Sequence, residues 1–297
     1  MGFILPKICI DTRINATTNN QFIMKSIIVP VDFSATSYEA ANYAQQLAHQ
    51  TGAKLTLLHA FLSPSLMPAD STLELTEEGL WKKHLEMLGL LAEKMEKKDP
   101  TIKIEYIQLR GTVTESVRQL SESIQSQMVV IGMHGASGLS RTIIGSNALQ
   151  VALQTSIPVL IIPPGAVYST VKDLGLATDF REVEKRVPEK KIEDLIALLG
   201  ARLHILHVDF ENRKWNAEVP LQSGLLETMF QEYHPSYHFI EDPNVTEGLT
   251  SFAENNSIEW LMAVKSKEGW MERLIRQHHL KDLVFNSKIP LLVLTAD

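Results

Sequence analysis

One order of segments runs twice along this chain, and that repeat constrains the fold more than any other feature. Leu174 to Phe180, LGLATDF, mirrors IIVPVDF at 27–33. Leu203 to Val208, LHILHV, mirrors Leu55 to Ala60, LTLLHA. Val245-Thr246-Glu247 mirrors Val113-Thr114-Glu115, and Ile289 to Leu294, IPLLVL, mirrors Ile157 to Ile162, IPVLII. The offset is 147 residues at Asp32 and Asp179 but 132 at Val113 and Val245. The second copy is therefore 15 residues shorter, with the loss somewhere between its first strand and its last helices.

Within the first copy, short β-branched runs alternate with longer helical patterns. Ser26 to Val31, Lys54 to Phe61, Thr101 to Leu109, Gln127 to Ile131 and Ile157 to Ile162 read as five strands. Between them, Ala40, Ala41, Ala44, Leu47 and Ala48 form one apolar stripe that Gly52 closes. A long helix is expected from about Thr76 to Lys98, its core face made by Met87, Leu88, Leu91 and Met95. Thr36 with Glu39, and Thr112 with Glu115, have capping-box spacing. Strands separated by helices imply a parallel sheet covered on both faces, with right-handed crossovers.

The expected organisation is an N-terminal tail over 1–23, a first domain over 24–163, a linker over 164–170 and a second domain over 171–297. The tail, rich in Asn and Thr and without period, reads as a loose segment or a misassigned start. A 297-residue chain with 44% apolar residues can bury two cores. A net charge of −7 argues against nucleic acid or an anionic membrane as the main partner. The one cysteine, Cys9, allows no internal disulfide. The start MGFILPKIC has too short an apolar stretch for a secretory signal, so a cytoplasmic location is expected.

The segment Gly132 to Asn147, GMHGASGLSRTIIGSN, carries the chemistry. Gly132 ends the fourth strand, where a missing side chain lets a ligand approach the backbone. Gly135 permits positive φ, so that successive N–H groups can turn toward one anion. Gly145 and Ser146 open a helix whose free N–H groups and dipole favour phosphate. With strand order 3-2-1-4-5, Asp32 at the end of strand one would face Gly132 across the crevice where connections diverge.

The G-x-x-G, nine-residue, G-[ST] spacing, with V-D-F-S after strand one, resembles the ATP-binding subgroup of universal stress proteins. GMHGASGLSRTIIGS followed by IPVLIIP is similar to that family's C-terminal signature. The resemblance covers residues 24 to 163 well and 171 to 297 weakly. It implies two tandem α/β domains, each a doubly wound parallel five-stranded sheet of the adenine-nucleotide alpha-hydrolase-like type. It implies that Asp32, after Pro30 and Val31, contacts ribose or base, and that the Ala60 backbone reads the adenine edge. Family members often have valine at this last position, so Ala60 implies a roomier pocket. Gly132 and Gly135 would border ribose and phosphate, and Gly145, Ser146 and Asn147 would hold the phosphates. The ligand implied is ATP, with ADP or AMP as alternatives, accompanied by magnesium or manganese whose protein ligands are unassigned. Fifth strands often pair across a two-fold axis in the family, which implies an intramolecular pseudo-dimer and leaves room for a homodimer.

The second copy departs from this pattern. Aligned back from Pro290, Gly132 falls on Val264, Gly135 on Lys267, Gly145 on Gln277 and Ser146 on His278. Long side chains there would fill the phosphate space, so the second domain is expected to be a partner or regulator. His59 and His207 recur at matched strand ends and read as hydrogen-bonded core residues. His278 and His279 face different ways on a helix, and Pro235 interrupts the His234–His238 spacing, so neither pair reads as a zinc site. Arg141 fits a phosphate contact and a surface position equally. No G-x-x-x-x-G-K-[ST] occurs, and no lysine or water-positioning base is placed for phosphoryl transfer. The expectation is a nucleotide-responsive stress or signalling module rather than an enzyme. The alternatives are a slow ATPase, autokinase or adenylating transferase of the same fold, and a ligand-free scaffold.

Overall fold

The computed structural model describes residues 24–62, 76–133, 146–209, 218–265 and 287–296. The expected tail, together with Gly135, Gly145, Arg141, Lys267, Gln277, His278 and His279, lies outside them.

In the first half the strands are β1 (Ser26–Pro30), β2 (Lys54–Phe61), β3 (Ile104–Arg110), β4 (Met128–Gly132) and β5 (Val159–Ile162). The helices are α1 (Ala35–Thr51), α2 (Glu77–Lys98), α3 (Val113–Ile124) and α4 (Ser146–Gln154). The second half has β6 (Asp173–Ala177), β7 (Arg202–Asp209), β8 (Ser236–Glu241), β9 (Trp260–Lys265) and β10 (Leu291–Thr295). Its helices are α5 (Val183–Arg186), α6 (Glu189–Leu199), α7 (Glu218–Met229) and α8 (Val245–Asn255).

Each half has the expected order 3-2-1-4-5, but the two sheets are not separate. They form one ten-stranded sheet, β3-β2-β1-β4-β5-β10-β9-β6-β7-β8. Neighbours are parallel except at the centre, where β5 and β10 run antiparallel with Ile161 opposite Leu291 and Val159 opposite Val293. That pairing gives two four- or five-residue apolar strands a partner on both edges, so neither is left as an exposed template.

Alternate residues of the strands feed two cores, one per face. One includes Ile27, Val29, Leu55 and Leu57 with Ala44 and Leu47 of α1 and Leu88 of α2, and continues to Leu195 of α6 and Leu226 of α7. The other includes Ile28, Val129 and Ile131 with Leu120 of α3, Val151 of α4 and Leu249 of α8. Strands covered on both faces are apolar throughout, which explains SIIVP and VLII.

Local capping follows the sequence at one place and departs from it at another. The Thr112–Glu115 box forms with both of its bonds. The Thr36–Glu39 box does not, because Ser34 caps α1 two residues earlier and accepts from the Ser37 N–H at 3.2 Å. Glu39 instead accepts from the Gly165 N–H at 3.0 Å and ties α1 to the segment between the halves. The missing length of the second copy lies mainly in its second helix, 12 residues in α7 against 22 in α2. One residue is gained before that. Gly52 and Gly200, both left-handed helix caps, are 148 apart where Asp32 and Asp179 are 147 apart. The extra residue falls where the helix is broken at Val187-Pro188, and Pro188 has no N–H with which to continue it.

Candidate functional site

β1 and β4 are neighbours whose following helices leave toward opposite faces of the sheet, so the chain opens a crevice at their C-terminal ends. A cavity of about 200 Å³ lies there. Of the residues singled out from the sequence, Pro30, Val31, Asp32, Ala60, Gly132 and Asn147 line it. Ser146 opens α4, and nothing is described of its side chain. Gly135 and Gly145 lie outside the described residues.

Asp32 is exposed, directly beyond β1. Its Oδ1 accepts from the Ser34 N–H at 3.0 Å and from the Ser34 hydroxyl at 2.5 Å. The capping serine thus fixes the carboxylate. Ser34, Thr36 and Ser37 also line the cavity. From the sequence, Ser34 enters only as part of the V-D-F-S signature and Thr36 only as a helix cap. The position of this run immediately after Asp32 was the available signal. At the opposite wall Asn147 and Ala148 belong to the first turn of α4. The first four N–H groups of a helix have no partner within it, so this turn presents donors and the positive end of the helix dipole.

Gly132 also has a packing role that its sequence setting did not show. A Cβ built there would lie 2.3 Å from the Thr36 carbonyl oxygen and 2.7 Å from its carbon. The glycine is required because the first turn of α1 presses on the end of β4.

Behind the cavity wall, Phe33 has a left-handed backbone, φ 64°. Such a conformation costs about 1–3 kcal/mol in a non-glycine residue. The ring packs at a tilt against His59, with centroids 4.7 Å apart, and lies 5.5 Å from His84. His59 Nδ1 lies 2.7 Å from the Val31 carbonyl oxygen, which can only accept, so Nδ1 carries the proton. His59 Nε2 then accepts from His84 Nδ1 at 3.1 Å. Burial pushes the pKa of both imidazoles down, against an upward pull on His59 from the Val31 carbonyl and Asp32. His59 is a hydrogen-bonded structural residue, as its sequence setting implied.

The strand ladders allow the second half to be laid on the first without ambiguity. Gly132 pairs with Ile162 of β5, and Val264 pairs with Leu294 of β10. Val264 is buried at 7% exposure where the first half has no side chain. Val208 stands where Ala60 stands. His234 caps a short 3-10 turn and His238 lies on β8, so the two never share a helix face. His238 instead stacks on His204, whose Nε2 bonds Asp173 at 2.8 Å, and Arg202 grips Asp173 through two 2.7 Å bonds. Burial alone would raise the Asp173 carboxyl, but Arg202 and His204 outweigh it and hold it below the usual carboxylate range. Among the described residues no group of three or more His, Cys, Asp or Glu could hold a metal ion, and no helix is long and apolar enough to cross a membrane.

Residues 24–163 match the Universal stress protein family. They are a universal stress protein domain. A universal stress protein of Methanocaldococcus jannaschii is 29% identical over 146 residues, 48% of this chain and 85% of that protein. One from Mycolicibacterium smegmatis is 28% identical over 142 residues, 46% of this chain and 45% of its own length. The fold reaches further than these alignments. A universal stress protein crystal structure from Archaeoglobus fulgidus superposes with a TM-score of 0.70 at 20% identity, covering 94% of this chain and 98% of that one. The universal stress fold therefore includes the second half as well as the first.

Proposed function

We propose that this universal stress protein binds an adenine nucleotide, ATP foremost, in the cleft of its first half and acts as a nucleotide-responsive stress or signalling module. One observation carries the reading. Asp32 and the first turn of α4 border one cavity at the switch point of the sheet. In this reading the Asp32 carboxylate, oriented by Ser34, accepts a ribose hydroxyl, and the backbone at Ala60 meets the adenine edge. Asn147 and the leading amides of α4 take phosphate oxygens.

A magnesium or manganese ion would screen the phosphates. Asp32 is the one carboxylate among the described residues that line the cavity. The metal would therefore be held mainly by phosphate oxygens and water, with Asp32 and Asn147 as the protein oxygens at hand. Those lining residues include no lysine, arginine or histidine. On the proposed reading the cleft binds nucleotide rather than transferring a phosphoryl group rapidly, a step that needs a cation or a base beside the reacting group.

The test is calorimetric titration with Mg·ATP, ADP and AMP of the wild type and of Gly135→Lys, which copies Lys267 of the second half. Saturable binding by the wild type, weakened at least tenfold in a variant that keeps its far-ultraviolet spectrum, is the expected result. Absence of heat, with no change in melting temperature at millimolar ATP, would overturn the reading.

A further inference from the structure

The joint between the halves reaches the cleft through a helix. α4 starts at the cavity, where Asn147 and Ala148 line it, and it spans only 9 residues. Its far end is held by the second half. The Lys265 ammonium donates to the carbonyl oxygens of Leu153 at 2.7 Å, Thr155 at 3.1 Å and Ala152 at 3.5 Å. The Thr295 hydroxyl adds a bond to the Thr155 carbonyl at 3.3 Å. Lys265 and Thr295 are themselves paired across β9 and β10. The last carbonyls of a helix have no partner within it, and a cation there also meets the negative end of the dipole. The matching position in the first half is Met133, which has no ammonium to offer.

α1 is tied in the same direction. Thr36 and Ser37 of its first turn line the cavity. Two turns further on, the Tyr43 hydroxyl accepts from the Trp260 indole N–H at 2.8 Å, with Trp260 wholly buried. The two helices that wall the cleft are both gripped by the half that has Val264 in place of the glycine.

We propose that Lys265 is a positioning residue through which the second half sets the ligand affinity of the first. It holds α4 so that Asn147 and the leading amides face the cleft. This inference rests on the nucleotide reading of that cleft. By linkage, a ligand that orders the start of α4 tightens the Lys265 contacts by the same factor by which Lys265 improves binding.

The experiment compares wild type, K265M and K265R in Mg·ATP titrations and in amide hydrogen exchange of α4 without nucleotide. K265M should bind at least about fivefold more weakly, within the usual span of coupling between sites, and its α4 amides should exchange faster. K265R, which keeps the charge and the donors, should return both toward wild type. A lower melting temperature with unchanged affinity and unchanged α4 exchange would overturn the coupling and leave Lys265 a stabilising residue only. If the wild type binds no nucleotide, the reading of the cleft falls and the coupling falls with it. If K265M does not fold, T295V is read in its place. It removes only the hydroxyl bond to Thr155, and a smaller loss of affinity is expected, with equal affinity overturning the proposal.

Discussion

At the ends of their first strands the two halves keep the same turn and differ in what surrounds it. Phe33 and Phe180 both have left-handed backbones, φ 64° and 50°. His59 and His207 both pack at a tilt against those rings, with centroids 4.7 and 5.0 Å apart. Both histidines bond the carbonyl just beyond the strand, Val31 at 2.7 Å and Thr178 at 2.9 Å. The neighbouring positions have exchanged volume. Gly132 becomes Val264, and the helix after the first strand is broken at Val187-Pro188. Ala60 with Ser116 becomes Val208 with Gly248, and a Cβ on Gly248 would meet Val208 at 3.2 Å. Ile28 becomes Gly175, whose space is taken by Leu206, Ile258 and Leu261. The retained groups close the fold. The exchanged ones shape the space beside it, and each change is matched by another because a packed interior tolerates neither void nor overlap.

The comparison breaks most severely at Gly132. Gly132→Val imports the second half's residue without its broken helix, and the new side chain meets the Thr36 carbonyl. A loss of about 3 kcal/mol is expected in urea unfolding, the scale of a severe overpacking, together with loss of nucleotide binding. Unchanged stability would mean that α1 can retreat from β4 at little cost.

Next comes the ion pair at the opposite end of the second half's strands. Asp173→Asn should cost about 2 kcal/mol at neutral pH, the worth of hydrogen bonds to a charged group. Because the Asp173 pKa is lowered on folding, its contribution is present above the ordinary carboxylate pKa and is lost as pH falls through the folded value. The variant should therefore show a shallower acid unfolding curve than the wild type. Identical curves would show that other carboxylates govern it.

Ala60→Val tests the volume exchange. Alone it should cost about 1–2 kcal/mol and narrow the cleft. Combined with Ser116→Gly it should lose less than the sum of the single changes, with a coupling above about 0.5 kcal/mol. Additive losses would mean that the two positions do not share space in the first half.

The smallest effect concerns His84, which the shorter α7 does not reproduce. Folding lowers the pKa of both His59 and His84, so their stabilising neutral forms dominate above about pH 6.5 and stability falls as pH drops below it. His84→Phe should flatten the pH dependence of the melting temperature between about pH 7 and 5. A slope equal to wild type would assign that dependence elsewhere.

Much of this was legible because it is local. The bounds of β2 and α2, the Thr112–Glu115 box and the stripe under α1 each depend on residues three or four apart, where period and cap chemistry act. His59 could be read as a core histidine because its strand position recurs at His207. The Thr36–Glu39 box failed because its spacing was correct but Ser34, two residues earlier, reached a free amide first. Thr36 and Ser37 went unread as cavity wall because cap chemistry accounted for Thr36 and nothing local marks Ser37.

The sequence by itself determined the strands and helices of the first half, the doubling, and the position of a glycine-bearing strand end beside an aspartate. Only the tertiary structure decided that the pairing implied for the two halves makes one continuous ten-stranded sheet, that Gly132 answers to a helix carbonyl, and that Lys265 and Trp260 grip the walls of the other half's cleft. Those contacts join residues far apart in the chain, 96 positions for Gly132 to Thr36, 112 for Lys265 to Leu153 and 217 for Trp260 to Tyr43. Period and capping act over a single helical turn, whereas partners at such separation are chosen by which surfaces meet when the sheet closes.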